Sequence, residues 1–73
     1  MEDKELYVKL GKHIKEQRIR RKLTQEELAT FIGVSRNCIA NYENGRRFMG
    51  VDMLWKLEKF FDCDFKKILK KPI

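Results

Sequence analysis

Apolar residues recur along the chain at helical spacing. Leu6, Leu10 and Ile14 follow one another every four residues, and Asp3 and Glu5 sit where the positive end of a helix dipole favours carboxylates. This predicts a first helix over about 3–21, closed by the basic run from Arg20 to Lys22. Thr24-Gln25-Glu26-Glu27 then reads as a capping box, in which hydroxyl and carboxylate each satisfy a backbone amide. It opens a second helix over about 25–32, with Leu28, Ala29 and Ile32 as its apolar face. Gly33 follows, where a chain leaving a helix turns left-handed without a Cβ penalty. Only Val34 separates it from Ser35, an N-cap for a third helix reaching about Tyr42. Asn44-Gly45 predicts a turn or C-cap, and 46–50 a loop. Val51, Leu54, Leu57 and Phe61 give a fourth helix, ended at Asp62 where glycine is expected. Asp64 caps a short fifth helix carrying Phe65, Ile68 and Leu69 before Pro72 stops it. The pattern contains no strand, repeat or linker, so the expectation is an all-α, five-helix domain over 1–73.

Length narrows what such a domain can do. Seventy-three residues fit one domain and leave no second to carry an enzyme, since domains run to about 50–250 residues. A chain this short buries only about 60% of its unfolded surface, so its working surface is expected to be external. With 42% hydrophobic and 38% charged residues, it is too apolar for a disordered tail. The formal charge of +6 is clustered in Lys12, Lys15, Arg18, Arg20, Arg21 and Lys22, in Arg46 and Arg47, and in Lys66, Lys67, Lys70 and Lys71. A polyanion suits that distribution, although cations near a helix C-terminus also complement its dipole, which accounts equally well for the last cluster. Cys38 and Cys63 stand far apart with lone His13, so no metal site or redox motif is expected, and both read as reduced, packed thiols. No cofactor or small-molecule ligand is implied. No apolar run has signal-peptide or membrane-span length, and the expected location is the cytoplasm.

The link between the second and third helices is short. Helices joined so tightly must cross steeply, which leaves the second of them proud of the body and able to enter a DNA major groove, about 12 Å wide. Arg36 and Asn37 occupy its leading end, Asn41 lies one turn on, and Cys38 and Ile39 point back toward the core. Arginine can bond guanine O6 and N7 in a fork, and asparagine can do the same to adenine N6 and N7. Polar residues on any solvated helix would look similar, so these three alone leave both readings open. Asp52, Glu58 and Asp62 show no paired geometry for acid-base catalysis, and no glycine-rich phosphate loop or nucleophile motif occurs, so no enzymatic activity is expected.

A longer ordered set of residues resembles the lambda-repressor and Cro type of helix-turn-helix, the XRE family. It comprises Leu10-Gly11, Ile14, Arg18, Leu23 through Ala29, Ile32 through Ser35, Ile39, Tyr42 through Arg47, and the spaced Leu54, Leu57 and Phe61, within residues 10 to 69. The resemblance implies a homodimeric regulator of transcription, most simply a repressor, that reads a pseudo-palindromic site in double-stranded DNA. It implies that Arg36, Asn37 and Asn41 face bases, and that Gln25, Ser35, Asn44, Arg46 and Arg47 contact the DNA backbone. A family glutamine in the place of Gln25 also braces the recognition helix. Ser35 as a cap and Asn44-Gly45 as a plain turn are compatible local readings. Arg18 and Glu43 would pair inside the domain, tying the first helix to the end of the third.

The chain departs from the family pattern just before the fourth helix. Met49 and Gly50 stand where a proline and a serine or threonine are usual, and Phe48 precedes them. Phe48 and Met49 then either pack inward or form an apolar patch for a second subunit, a role for which Trp55, Phe65, Ile68, Leu69 and Ile73 compete. A rival function follows from the same residues: a protein-interaction module, such as an antitoxin or co-regulator, using the same fold.

Overall fold

The computed structural model describes residues 4–62 and Phe65. Among them are four helices and no strand: α1 (Lys4–Arg20), α2 (Gln25–Ile32), α3 (Arg36–Glu43) and α4 (Val51–Phe61). The all-α class holds, but the described residues contain four helices where five are expected. The fifth falls on 64–72, outside the described residues except for Phe65, which is fully buried.

Helix ends form where local chemistry satisfies their unpaired backbone groups. At the start of α2, Thr24 Oγ1 accepts the Glu27 amide at 3.0 Å and Glu27 Oε1 accepts the Thr24 amide at 2.8 Å, completing the capping box. Ser35 Oγ accepts the Cys38 amide at 3.1 Å and starts α3. The end of α3 is closed by Gly45 at φ 69°. There the Arg46 amide reaches the Asn41 carbonyl at 2.9 Å and the Gly45 amide the Tyr42 carbonyl at 3.1 Å, the paired bonds of a Schellman ending. Two endings use residues other than glycine. Lys22 closes α1 at φ 58° and Asp62 closes α4 at φ 52°.

The core draws on all four helices. Leu10 and Ile14 of α1 meet Leu28, Ala29 and Ile32 of α2, Cys38, Ile39 and Tyr42 of α3, and Leu57 and Phe61 of α4, with Phe65 among them. Helix α3 packs on both α1 and α2, and α4 touches α2. One expectation fails at the edge of α4, where Val51 shares the sequence spacing of Leu54, Leu57 and Phe61 but is 81% exposed. At 100° per residue, Val51 lies about 100° around the helix from the centre of its buried face, beyond the reach of the core. Arg21 belongs by sequence to the basic run, yet the fold engages it internally. Its guanidinium donates to the side-chain oxygen of buried Gln17 at 2.8 Å and to the Phe61 carbonyl, and lies 4.9 Å from the centre of the Phe61 ring. It therefore caps the negative end of α4 and fastens it to α1. No described helix is long and apolar enough to cross a membrane.

Candidate nucleic-acid interface

The α2–α3 pair has the turn its sequence demands. Gly33 takes φ 91°, and the Val34 amide returns to the Ala29 carbonyl at 2.9 Å, so the chain reverses within three residues before Ser35 caps α3. Leu28, Ala29 and Ile32 on one side and Cys38 and Ile39 on the other are buried, which fixes how the helices cross. This leaves the first turn of α3 outside, with Arg36 and Asn37 exposed and Asn41 half-buried one turn on. Past the C-terminus of α3, Asn44, Arg46 and Arg47 are all exposed.

Behind this face runs a hydrogen-bonded relay. Glu43, buried at the end of α3, accepts from Arg18 Nε at 2.7 Å and Arg18 Nη2 at 3.2 Å, joining α1 to α3. Arg18 Nη1 also donates to the Leu23 carbonyl at 2.7 Å, which holds the guanidinium in one plane. The side chains are 11% and 2% exposed, so the pair is shielded from bulk water on both sides. The same carboxylate accepts from Gln25 Nε2 at 3.0 Å, and Gln25 Oε1 in turn accepts from Arg36 Nη1 at 3.3 Å. Glu43 can only accept, so it orients the Gln25 amide with its carbonyl toward Arg36. Arg36 is thus tethered to the body by one nitrogen while the residue as a whole stays exposed. The Arg18–Glu43 pair is the one the family resemblance implies; its extension through Gln25 to Arg36 depends on how α2 and α3 cross, which no local signal carries.

Tyr42 marks the inner side of α3. Burial pushes its phenol above the ordinary 10.0, a hydrogen bond with the Cys38 thiol adds to the rise, and the charge of Arg47 opposes it. A phenol raised in the folded state holds its proton more tightly there than in the unfolded chain. The resulting stabilisation is complete below the unfolded value and is lost as pH rises through the folded one. Denaturation of wild type and Tyr42→Phe between neutral and strongly alkaline pH should accordingly show a shallower alkaline loss in the variant. Equal slopes would show that the phenol contributes nothing to it.

The two alternatives for the loop before α4 are divided between its residues. Met49 is half-buried against the core, whereas Phe48 is 64% exposed and meets the Tyr7 ring edge-on at 5.5 Å. Gly50 takes the N-cap position of α4 with no side-chain hydrogen bond, as a residue without an acceptor must. Between α1, this loop and α4 opens an apolar groove of about 210 Å³, bordered by Leu6, Tyr7, Phe48, Met49, Val51 and Leu54. Trp55, also proposed from sequence for a subunit contact, is 57% exposed, with Lys59 over its ring at 4.6 Å. Ile68, Leu69 and Ile73 lie outside the described residues, as does Cys63, while Cys38 is a buried free thiol. Among the described residues, no group of histidine, cysteine or carboxylate side chains could hold a metal ion.

The chain is similar to known proteins. A family model described as helix-turn-helix matches residues 14–68. The chain is 43% identical over 56 residues to multiprotein-bridging factor 1 of Candida albicans, covering 77% of this chain and 37% of that protein. It is 38% identical over 69 residues to an HTH-type transcriptional regulatory protein of Thermococcus kodakarensis, covering 93% and 20%. To the antitoxin PezA of Streptococcus pneumoniae it is 40% identical over 60 residues, covering 82% and 38%. The chain thus spans less than two fifths of the length of these curated relatives. Among solved structures, the restriction-modification controller protein C.AhdI from Aeromonas hydrophila superposes with a TM-score of 0.81 at 26% identity, covering 93% of this chain and 99% of that one.

Proposed function

The chain belongs to the XRE-type helix-turn-helix family, and from that premise we propose that it is a DNA-binding transcriptional regulator that inserts the first turn of α3 into the major groove. The observation that carries this reading is Arg36, exposed at the leading end of α3 with one guanidinium nitrogen hydrogen-bonded to Gln25. An arginine held in that way suits the O6 and N7 pair of guanine, and Asn37 and Asn41 supply amides of the kind that bond adenine. Ser35, Asn44, Arg46 and Arg47 surround this face and would hold phosphates, which position the protein without reading sequence. Gln25 would add a phosphate contact from its place at the first turn of α2, where unpaired helix amides also favour an anion. The protein acts as a homodimer on a pseudo-palindrome whose half-sites lie about 10 bp apart, and represses by covering a promoter.

Selection of bound duplexes from a random pool tests this directly. Wild type should enrich a palindrome, and Arg36→Ala should relax preference at one guanine per half-site, at a cost of about 1–3 kcal/mol for the correct base. No enrichment at moderate salt would sink the reading. A second reading is favoured by the exposed Phe48 and Trp55 and by the apolar groove that Phe48 borders: an interaction module for another protein. In that case Arg36→Ala leaves function unchanged, while substitutions at Phe48 or Trp55 abolish it.

A further inference from the structure

Helix α4 presents an outward stripe that no other described residue buries. Val51, Asp52, Trp55, Lys56 and Lys59 are exposed, while Met53, Leu54, Leu57, Phe60 and Phe61 turn toward the body. Val51 is 81% and Trp55 57% exposed, and Phe48, at 64%, stands just before the helix. In a chain with 38% charged residues, an exposed aliphatic and an indole one turn apart on α4, with Val51 and Phe48 bordering an apolar groove, mark a contact surface.

We propose that this face of α4 is where the chain meets a second copy of itself, the two α4 helices packing antiparallel about a two-fold axis near Trp55 and Lys56. The proposal rests on the homodimer reading above and specifies its surface. A two-fold contact must be complementary to itself, because the same patch lies on both sides. The charge order along α4 has that property, with Asp52 in the first turn and Lys59 in the last. In antiparallel packing, Asp52 of each copy comes opposite Lys59 of the other, and each Trp55 comes opposite a Lys56, whose ammonium can lie over the indole face. Parallel packing would set Asp52 against Asp52 and Lys59 against Lys59. The same charge order complements the dipole of α4 itself. That accounts for the charges, but not for Val51, 81% exposed, nor for Trp55, which stays 57% exposed with the Lys59 ammonium over one part of its ring. Antiparallel α4 helices would cover both, and would bring Phe48 of each copy to the rim of the contact.

Sedimentation equilibrium over a range of protein concentrations tests the proposal, with circular dichroism confirming that each variant remains helical. Asp52 and Lys59 are both exposed, so their reversal leaves the core intact. Asp52→Lys and Lys59→Asp should each weaken self-association roughly ten- to a hundredfold, because the symmetry places like charges opposite one another twice. The double variant Asp52→Lys/Lys59→Asp should recover most of the loss, and Trp55→Ala should dissociate the dimer independently of charge. Weakening by the single changes without recovery in the double overturns the antiparallel register. A dimer indifferent to all four variants overturns the α4 surface while leaving homodimerisation standing. A wild-type chain that stays monomeric and binds its DNA site as one copy overturns both.

Discussion

Replacing Glu43 with alanine is expected to lower the unfolding free energy by about 3–5 kcal/mol, the range observed when one partner of a buried ion pair is removed. The carboxylate is bonded by Arg18 Nε and Nη2 and by Gln25 Nε2, and its side chain is 2% exposed. Without it, the Arg18 guanidinium keeps the Leu23 carbonyl but has no counter-charge, and the Gln25 amide loses the acceptor that orients it. A domain of this length has on the order of 4–11 kcal/mol of stability in total, at 0.05–0.15 kcal/mol per residue. The loss is therefore a large share of what holds the fold. Urea or thermal denaturation measures it, and wild-type melting would refute the buried pair. The penalty comes mainly from stranding Arg18, so Glu43→Leu combined with Arg18→Met should recover much of the stability. Base preference responds through a separate route. Arg36 keeps its place on α3 in Glu43→Ala but is steadied by a freer Gln25, so discrimination at its base pair should weaken less than the melting does.

Which parts of this arrangement are legible in the sequence follows from the range of the forces involved. The capping box of Thr24 and Glu27, the left-handed Gly33, the Ser35 cap and the Gly45 ending all rest on bonds within about five residues. Residue type and spacing are enough to predict them, and the bounds of α2 and α3 agree with expectation to within one residue. The all-α class follows from the same local signals. The inner and outer faces of α3 were also readable, because Cys38 and Ile39 fall at core spacing and Arg36 and Asn37 do not. Local pattern does not supply the meeting of distant groups: the Arg18–Glu43 pair is expected only through the family resemblance, and two further long-range contacts are not expected at all. Arg21 lies in a basic run and has the composition of a phosphate contact, yet its bond to the Phe61 carbonyl crosses forty residues of chain. Gln25 gives no sign that its amide links Glu43 to Arg36, since both partners arrive only when α3 docks. Val51 failed as a core residue for the converse reason: helical spacing marks which residues share a face, but neighbouring elements decide how wide the buried part of that face is.

Glycine at position 11 carries a constraint of the same long-range kind, and Gly11→Ala is expected to destabilise the fold by about 2 kcal/mol or more. Two opposing effects set the sign. Alanine in a helix interior is favoured over glycine by roughly 1 kcal/mol, so in an open helix the change would stabilise α1. Here a Cβ would lie 2.1 Å from the Tyr42 carbonyl oxygen, 2.8 Å from that of Glu43 and 2.9 Å from the Glu43 carbonyl carbon. These are backbone atoms, fixed by the Schellman ending of α3, and cannot rotate away as a side-chain tip could. Relief requires α1 to move off α3, which opens the contact around Leu10 and Ile14 and lengthens the Arg18–Glu43 bonds at the next turns of α1. Overpacking of a rigid core costs about 1–3 kcal/mol by itself, and partial loss of the ion pair adds to it, so the clash exceeds the helical gain. Gly33→Ala provides the comparison. Its Cβ would meet nothing within 4 Å, so only the left-handed backbone resists substitution there, at about 1–2 kcal/mol. Thermal melts of the two variants should rank Gly11→Ala as the more damaged. The reverse order, or a Gly11→Ala chain more stable than wild type, would show that α1 crosses α3 with room to spare, and that the close approach of these helices is not what brings Arg18 within reach of Glu43.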